Sequence, residues 1–233
     1  MNLRSNLRIA GSNLLIEFGK PEEIVKNIVE TLLGEKHIVS GFYYAREFTP
    51  EEIQVETNIA HAVKIPMFKY YTSTLVLPQD LPFSIDRLPD VYSNFRTKIE
   101  KVRLEVAKDP VSTVTKMKPF PELSFARVDM SDEDIMARMK INNIPHDPRT
   151  AFPFKGGETA GLARVKDYYW GTKAVKTYKD TRNGMIGDRY STKFSPWLAN
   201  GCISPRTVIS LLSEFEEEHG ANKDTYWVWF ELL

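Results

Sequence analysis

Between residues 14 and 72 the chain repeatedly switches hydrophobic period, and this alternation restricts the possible folds more than any other feature. Leu14-Leu15-Ile16-Glu17-Phe18 is a short apolar run closed by Gly19, and it reads as a buried strand. Pro21 then opens a helix, because its missing N–H costs nothing at the first helical position. Ile24, Val25, Ile28, Val29, Leu32 and Leu33 form one apolar face at 3.6 residues per turn. Gly34 follows, at the place where a left-handed cap is commonly needed. His37 to Tyr44 reads as a second strand. Thr49-Pro50 with Glu52 predicts a capping box and a helix carrying Ile53, Ile59, Ala60 and Val63. Pro66 to Thr72 reads as a third strand. Strand, helix, strand, helix, strand predicts a parallel sheet with right-handed crossovers. Three strands are few for such a sheet, so either the sheet is small or its first units lie outside this chain.

Past residue 76 the character changes. Leu77-Pro78, Leu81-Pro82 and Leu88-Pro89 force extended or turn geometry, since a residue before proline avoids the helical region. A helix from about Asp90 to Val102 presents Val91, Phe95, Ile99 and Val102. After it come Pro110, Pro119, Pro121, Pro145, Pro148 and Pro153 with little periodicity, and we read 105–155 as a linker. From Gly157 onward the pattern is helical. Glu158 to Val175 carries Leu162, Val165, Tyr169 and Trp170. Ser195-Pro196 and Ser204-Pro205 each join a capping hydroxyl to a helix-initiating proline, and Val208, Ile209, Leu212 and Phe215 make the second helix amphipathic. Thr225 to Leu233 is nearly all apolar and reads as a severed helix, because chain ends usually lie at a polar surface.

Composition excludes several classes. The 233 residues carry 31 Lys plus Arg against 31 Asp plus Glu, so global attraction to nucleic acid is no argument, although a local basic patch is possible. No apolar run reaches the roughly 20 residues of a membrane span, and Met1 to Ser5 lacks the apolar core of a signal peptide. The single cysteine, Cys202, rules out an intramolecular disulfide framework. His37, His61, His146 and His219 are scattered without ligand spacing, so no metal site is expected.

The densest chemistry lies in Tyr178-Lys179-Asp180-Thr181-Arg182-Asn183-Gly184 and Tyr190-Ser191-Thr192-Lys193-Phe194-Ser195-Pro196-Trp197. Three hydroxyls and a lysine precede a proline-initiated helix, where unpaired N–H groups and the helix dipole favour an anion such as a diphosphate. Hydroxyls there also serve as simple caps, and the residues alone leave both readings open.

These two segments, with Gly156-Gly157-Glu158-Thr159, the continuation Leu198 to Arg206 and the terminal Thr225 to Leu233, closely resemble the photolyase/cryptochrome family, the DASH cryptochrome branch fitting best. Asn6-Leu7-Arg8, Gly19 to Glu23 and Leu88 to Tyr92 resemble that family's antenna domain more loosely. The resemblance covers nearly the whole chain. It implies an α/β then all-α protein: a partial Rossmann-like antenna domain over 1–104 with the first strand–helix unit missing, the linker over 105–155, and the start of a truncated helical FAD-binding domain over 156–233. It further implies FAD held by Tyr178, Ser191, Thr192, Lys193, Phe194, Ser195 and Glu231. Arg182 falls at a basic position suited to a DNA phosphate, with a salt bridge as the competing reading. Glu47 falls where DASH members contact a 5,10-methenyltetrahydrofolate antenna; a solvated carboxylate is the competing reading.

The implied activity is blue-light reception, or FAD-dependent, light-driven splitting of cyclobutane pyrimidine dimers in single-stranded DNA. That photolyase activity belongs to the full-length family; for a fragment the alternative is a non-catalytic remnant without stable flavin binding, its apolar Val228, Phe230, Leu232 and Leu233 exposed. No membrane partner is expected. Cytoplasm, nucleus, plastid and mitochondrion are all compatible compartments.

Overall fold

The computed structural model describes residues 2–102, 115–123, 130–141 and 147–233. Part of the 105–155 segment, with Pro110, Pro145 and His146, lies outside the described residues. In chain order the helices and strands are α1 (Asn2–Ile9), α2 (Pro21–Gly34), β1 (Phe42–Ala45), α3 (Pro50–Ala62), β2 (Met67–Tyr70), α4 (Tyr92–Val102), α5 (Asp132–Arg138), α6 (Glu158–Lys166), α7 (Tyr178–Thr181), α8 (Ser195–Ala199), α9 (Pro205–His219) and α10 (Lys223–Leu232). The described residues form two compact units, one of 4–72, 115–123 and 130–141, the other of 2–3, 73–102 and 147–233. The chain is thus α/β in its first part and helical in its last.

In the first unit β1 and β2 pair in parallel, with Phe42 opposite Met67 and Ala45 opposite Tyr70. Parallel strands need a crossover, and α3 supplies it. Phe42 and Met67 pack with Val25 and Val55 against buried Val29, Ile59 and Val63, so the apolar faces read from α2 and α3 do meet. Tyr43, Phe68 and Tyr70 are exposed and stacked, Tyr43 and Phe68 having ring centroids 4.7 Å apart.

Three local expectations are corrected. Leu14–Phe18 is not a strand: it joins no ladder, and among the described residues the sheet consists of β1 and β2. Thr49 does not cap α3 through the backbone; its hydroxyl bonds to the Glu52 carboxylate instead. The left-handed residue after α2 is Lys36, at φ 65°, not Gly34.

The second unit is built around one apolar cluster. Val208, Ile209, Leu212 and Phe215 of α9 are all buried, as their spacing predicts, and they pack with Val165, Tyr169, Val175, Phe194, Trp197 and Val228. Ser204 accepts the Arg206 N–H and Pro205 begins α9. The helix expected over 158–175 is interrupted. After α6 a π-turn over Asp167–Gly171 leads through left-handed Lys173 into a 3-10 turn over Ala174–Thr177. The wider turn keeps adjacent Tyr168 and Tyr169 both fully buried. Gly157 starts α6 at φ 97°, which glycine adopts freely, and the Asn2 amide accepts the Thr159 N–H at 3.2 Å. Val228 is buried and Phe230, Leu232 and Leu233 are half-buried, so α10 does not present the bare apolar face that the remnant alternative implies. Among the described residues no helix is long and apolar enough to cross a membrane.

Candidate functional site

The chemistry-bearing residues of the second unit converge where α7 and α10 meet the 188–195 loop. Helix α7 is a single turn, too short to persist alone. The buried Asp224 carboxylate at the start of α10 accepts the Lys179 N–H at 2.9 Å and so ties the two helices together. Asn222 caps α10 by accepting the N–H groups of Asp224 and Thr225 at 2.8 and 2.9 Å.

This fixes Tyr178 and Arg182 one turn apart. Tyr178 is buried, and its phenol lies near the Thr192 side chain. Burial, followed by the Glu231 charge, pushes its phenol pKa up, while Arg182 opposes the shift. Arg182 Nε donates to Glu231 Oε1 at 2.9 Å, and the Trp227 indole donates to the same oxygen at 3.0 Å. Lys179 Nζ and the Arg182 guanidinium lie 4.4 and 5.2 Å from the centre of the Trp227 ring, within cation–π range. Tyr178, Thr192, Arg182 and Glu231 are therefore brought together.

The 191–195 loop carries the donors. Lys193 is left-handed at φ 59° and Phe194 right-handed at φ −76°. Such an alternation turns successive backbone N–H groups toward one concavity, a recurrent anion-binding geometry. Among the described residues the N–H groups of Ser191 to Phe194 meet no protein acceptor, and Lys193 makes no ion pair. Ser191, Thr192 and Lys193 are half-buried and Ser195 is exposed. Phe194 is buried in the core and anchors the loop from beneath. Ser195 is the first residue of α8 rather than its cap, and its side chain caps nothing. Helix α8 has only 5 residues, so its dipole is weak and the donors available to an anion are the backbone N–H groups and Lys193. The donor set fits a diphosphate.

Glu47 lies in the other unit, just after β1. Its carboxyl side is exposed, and its N–H donates to Glu56 Oε1 at 3.3 Å. Among the described residues no cluster of His, Cys, Asp and Glu side chains is arranged to hold a metal ion. Reading the sequence missed Asp224, Trp227's role beside Glu231, and buried Arg164, whose guanidinium reaches back to the 188–192 carbonyls. Partners 24 to 49 residues apart leave no local signature, so only the fold reveals them.

Comparison with known proteins identifies the family. The DNA photolyase family model matches residues 1–121. The cryptochrome DASH of Xenopus laevis is 44% identical over 239 residues, aligning with 100% of this chain and 43% of its own length. That of Synechocystis is 39% identical over 235 residues, with 100% and 46% covered. The crystal structure of Synechocystis cryptochrome superposes with a TM-score of 0.88, covering 99% of this chain and 46% of that one. The chain spans about half the length of the curated relatives it matches. It belongs to the DNA photolyase family, within the DASH cryptochrome branch.

Proposed function

We propose that the chain supplies the diphosphate-binding loop and part of the flavin cradle of a FAD-dependent, blue-light-driven protein that acts on cyclobutane pyrimidine dimers in single-stranded DNA. The observation that carries this reading is the open set of donors at Ser191–Ser195 beside buried Tyr178. Lys193 neutralises the diphosphate, while the hydroxyls of Ser191, Thr192 and Ser195 and the backbone N–H groups orient it. Phe194 and Tyr178 fix the loop from the core side, and Glu231 stands across from Tyr178 where flavin and lesion base would meet. FAD, when bound, supplies the light-driven electron that opens the cyclobutane ring.

Arg182 is held by Glu231 and stays partly exposed, so it presents one cation to a DNA phosphate. Single-stranded substrate lowers the cost of taking the lesion out of the stack. Glu47 is exposed and able to contact a 5,10-methenyltetrahydrofolate antenna in the other unit.

The test is illumination of the FAD-supplemented protein with a single-stranded oligonucleotide carrying one cyclobutane dimer. Dimer loss under blue light and none in the dark is expected. No light-dependent loss and no preference for the damaged strand would overturn the repair reading.

A further inference from the structure

Arg164 is a guanidinium only 3% exposed, one of two buried arginines among the described residues, Arg206 being the other. Its nitrogen atoms are all engaged. Nε donates to the Thr192 carbonyl at 3.1 Å, Nη2 donates to the carbonyls of Asp188 and, at 3.2 Å, Ser191, and Nη1 donates to Asp167 Oδ2 at 3.0 Å. The guanidinium carbon lies 4.7 Å from the Phe154 ring centre and 4.9 Å from that of Tyr168. Its ion-pair partner, Asp167, is half-exposed, and the Asp188 charge adds to the offset. Burying a cation so deeply is costly unless contacts of this kind pair it and satisfy its N–H groups, and these contacts also constrain the backbone they reach.

What they determine is the direction of three peptide groups. In a trans peptide the C=O and the following N–H point opposite ways. Drawing the carbonyls of Ser191 and Thr192 inward therefore turns the N–H groups of Thr192 and Lys193 outward, and these are two of the N–H groups without a protein acceptor. The same grip holds Lys193 in its left-handed conformation, which is unfavourable for a residue with a Cβ. Asp188 is held alongside, so the loop is clamped at both ends of Arg189–Ser191.

We infer that Arg164 is a positioning residue: it touches no ligand, and it holds the 188–193 backbone so that the Thr192 and Lys193 N–H groups face a diphosphate. The inference rests on the flavin-diphosphate reading proposed above and adds the residue that sets the loop.

The probe is ADP, the diphosphate half of FAD, added to the full chain. In the unaltered protein, ADP is expected to slow amide exchange at Thr192 and Lys193 more than at the neighbouring amides. Arg164→Lys keeps the charge but cannot reach three carbonyls at once. It is expected to bind ADP about tenfold more weakly and to lose the exchange protection at those two amides, its far-ultraviolet circular dichroism being unchanged. Should Arg164→Lys fail to fold, the exchange pattern of the unaltered protein still decides. Unaltered protein that takes up no ADP overturns the flavin reading. ADP uptake without slowing at Thr192 and Lys193, or equal ADP affinity in a folded Arg164→Lys, overturns the role of Arg164 and leaves the flavin reading standing.

Discussion

Arg182 Nε and Glu231 Oε1 are 2.9 Å apart, joining a residue of the α7 turn to one near the end of α10. Two readings of Arg182 follow from the sequence, a DNA contact and a salt bridge, and the structure shows the bridge. The pair is part-exposed, so its stability contribution is about 1 kcal/mol or less. Arg182→Gln should shift the denaturation midpoint little. If Arg182 also meets a phosphate, this variant lowers single-stranded DNA affinity and reduces the salt-dependence slope by about 1. Glu231→Gln removes the competing carboxylate and should raise that affinity. Fluorescence anisotropy at several salt concentrations checks both, and unchanged binding in both variants would leave Arg182 a structural bridge only.

The tyrosines make a second prediction. Burial raises the phenol pKa values of Tyr168, Tyr169 and Tyr178. In the unfolded chain they ionise near pH 10, while in the folded chain they hold their protons above it. Above pH 10 the unfolded state therefore binds fewer protons, and stability falls as pH rises; below pH 10 this contribution is fully present. Thermal midpoints should be flat from pH 8 to 9 and drop from 10 upward. Tyr168 hydroxyl is buried with no partner among the described residues. Tyr168→Phe should thus be neutral or stabilising by about 1 kcal/mol and soften the alkaline drop. A loss of several kcal/mol would show that the hydroxyl has a partner.

Lys193 gives a third. At φ 59° a glycine sits without strain and a β-branched residue does not. Lys193→Gly should leave apo stability within about 1 kcal/mol, and Lys193→Val should cost about 1–2 kcal/mol, read by urea denaturation. Both should weaken diphosphate binding, since both remove the cation. Equal stability of the two variants would contradict the left-handed geometry.

Gly161 gives a fourth. A Cβ there would stand 2.9 Å from Ile203 Cγ2 and 3.1 Å from the Trp197 ring. Gly161→Ala raises intrinsic helix propensity, yet overpacking against α8 should dominate and destabilise the protein by about 1–3 kcal/mol. An increase in melting temperature would show that this contact gives way.

The helical unit was legible in the sequence wherever local rules act. Ser204-Pro205 and the Val208-Ile209-Leu212-Phe215 face fall where spacing and capping put them, and the hydroxyl run at 191–195 does lie beside Tyr178. Legibility fails where the determinant is non-local. Leu14–Phe18 has strand composition but joins no ladder, and a strand is defined by its partner. The 158–175 helix breaks because the Thr172 N–H bonds the Asp167 carbonyl, widening the turn. Arg164 acts on backbone carbonyls 24 to 28 residues away, which leaves no pattern in side-chain types.

Flavin fluorescence titration of the purified chain, with ADP and riboflavin as competitors, decides whether the 191–195 loop grips a flavin diphosphate. FAD is expected to be taken up and quenched, ADP to displace it while riboflavin does not, and Lys193→Glu to weaken uptake about tenfold or more. FAD left free in solution, or displaced by riboflavin and untouched by ADP, would contradict that grip.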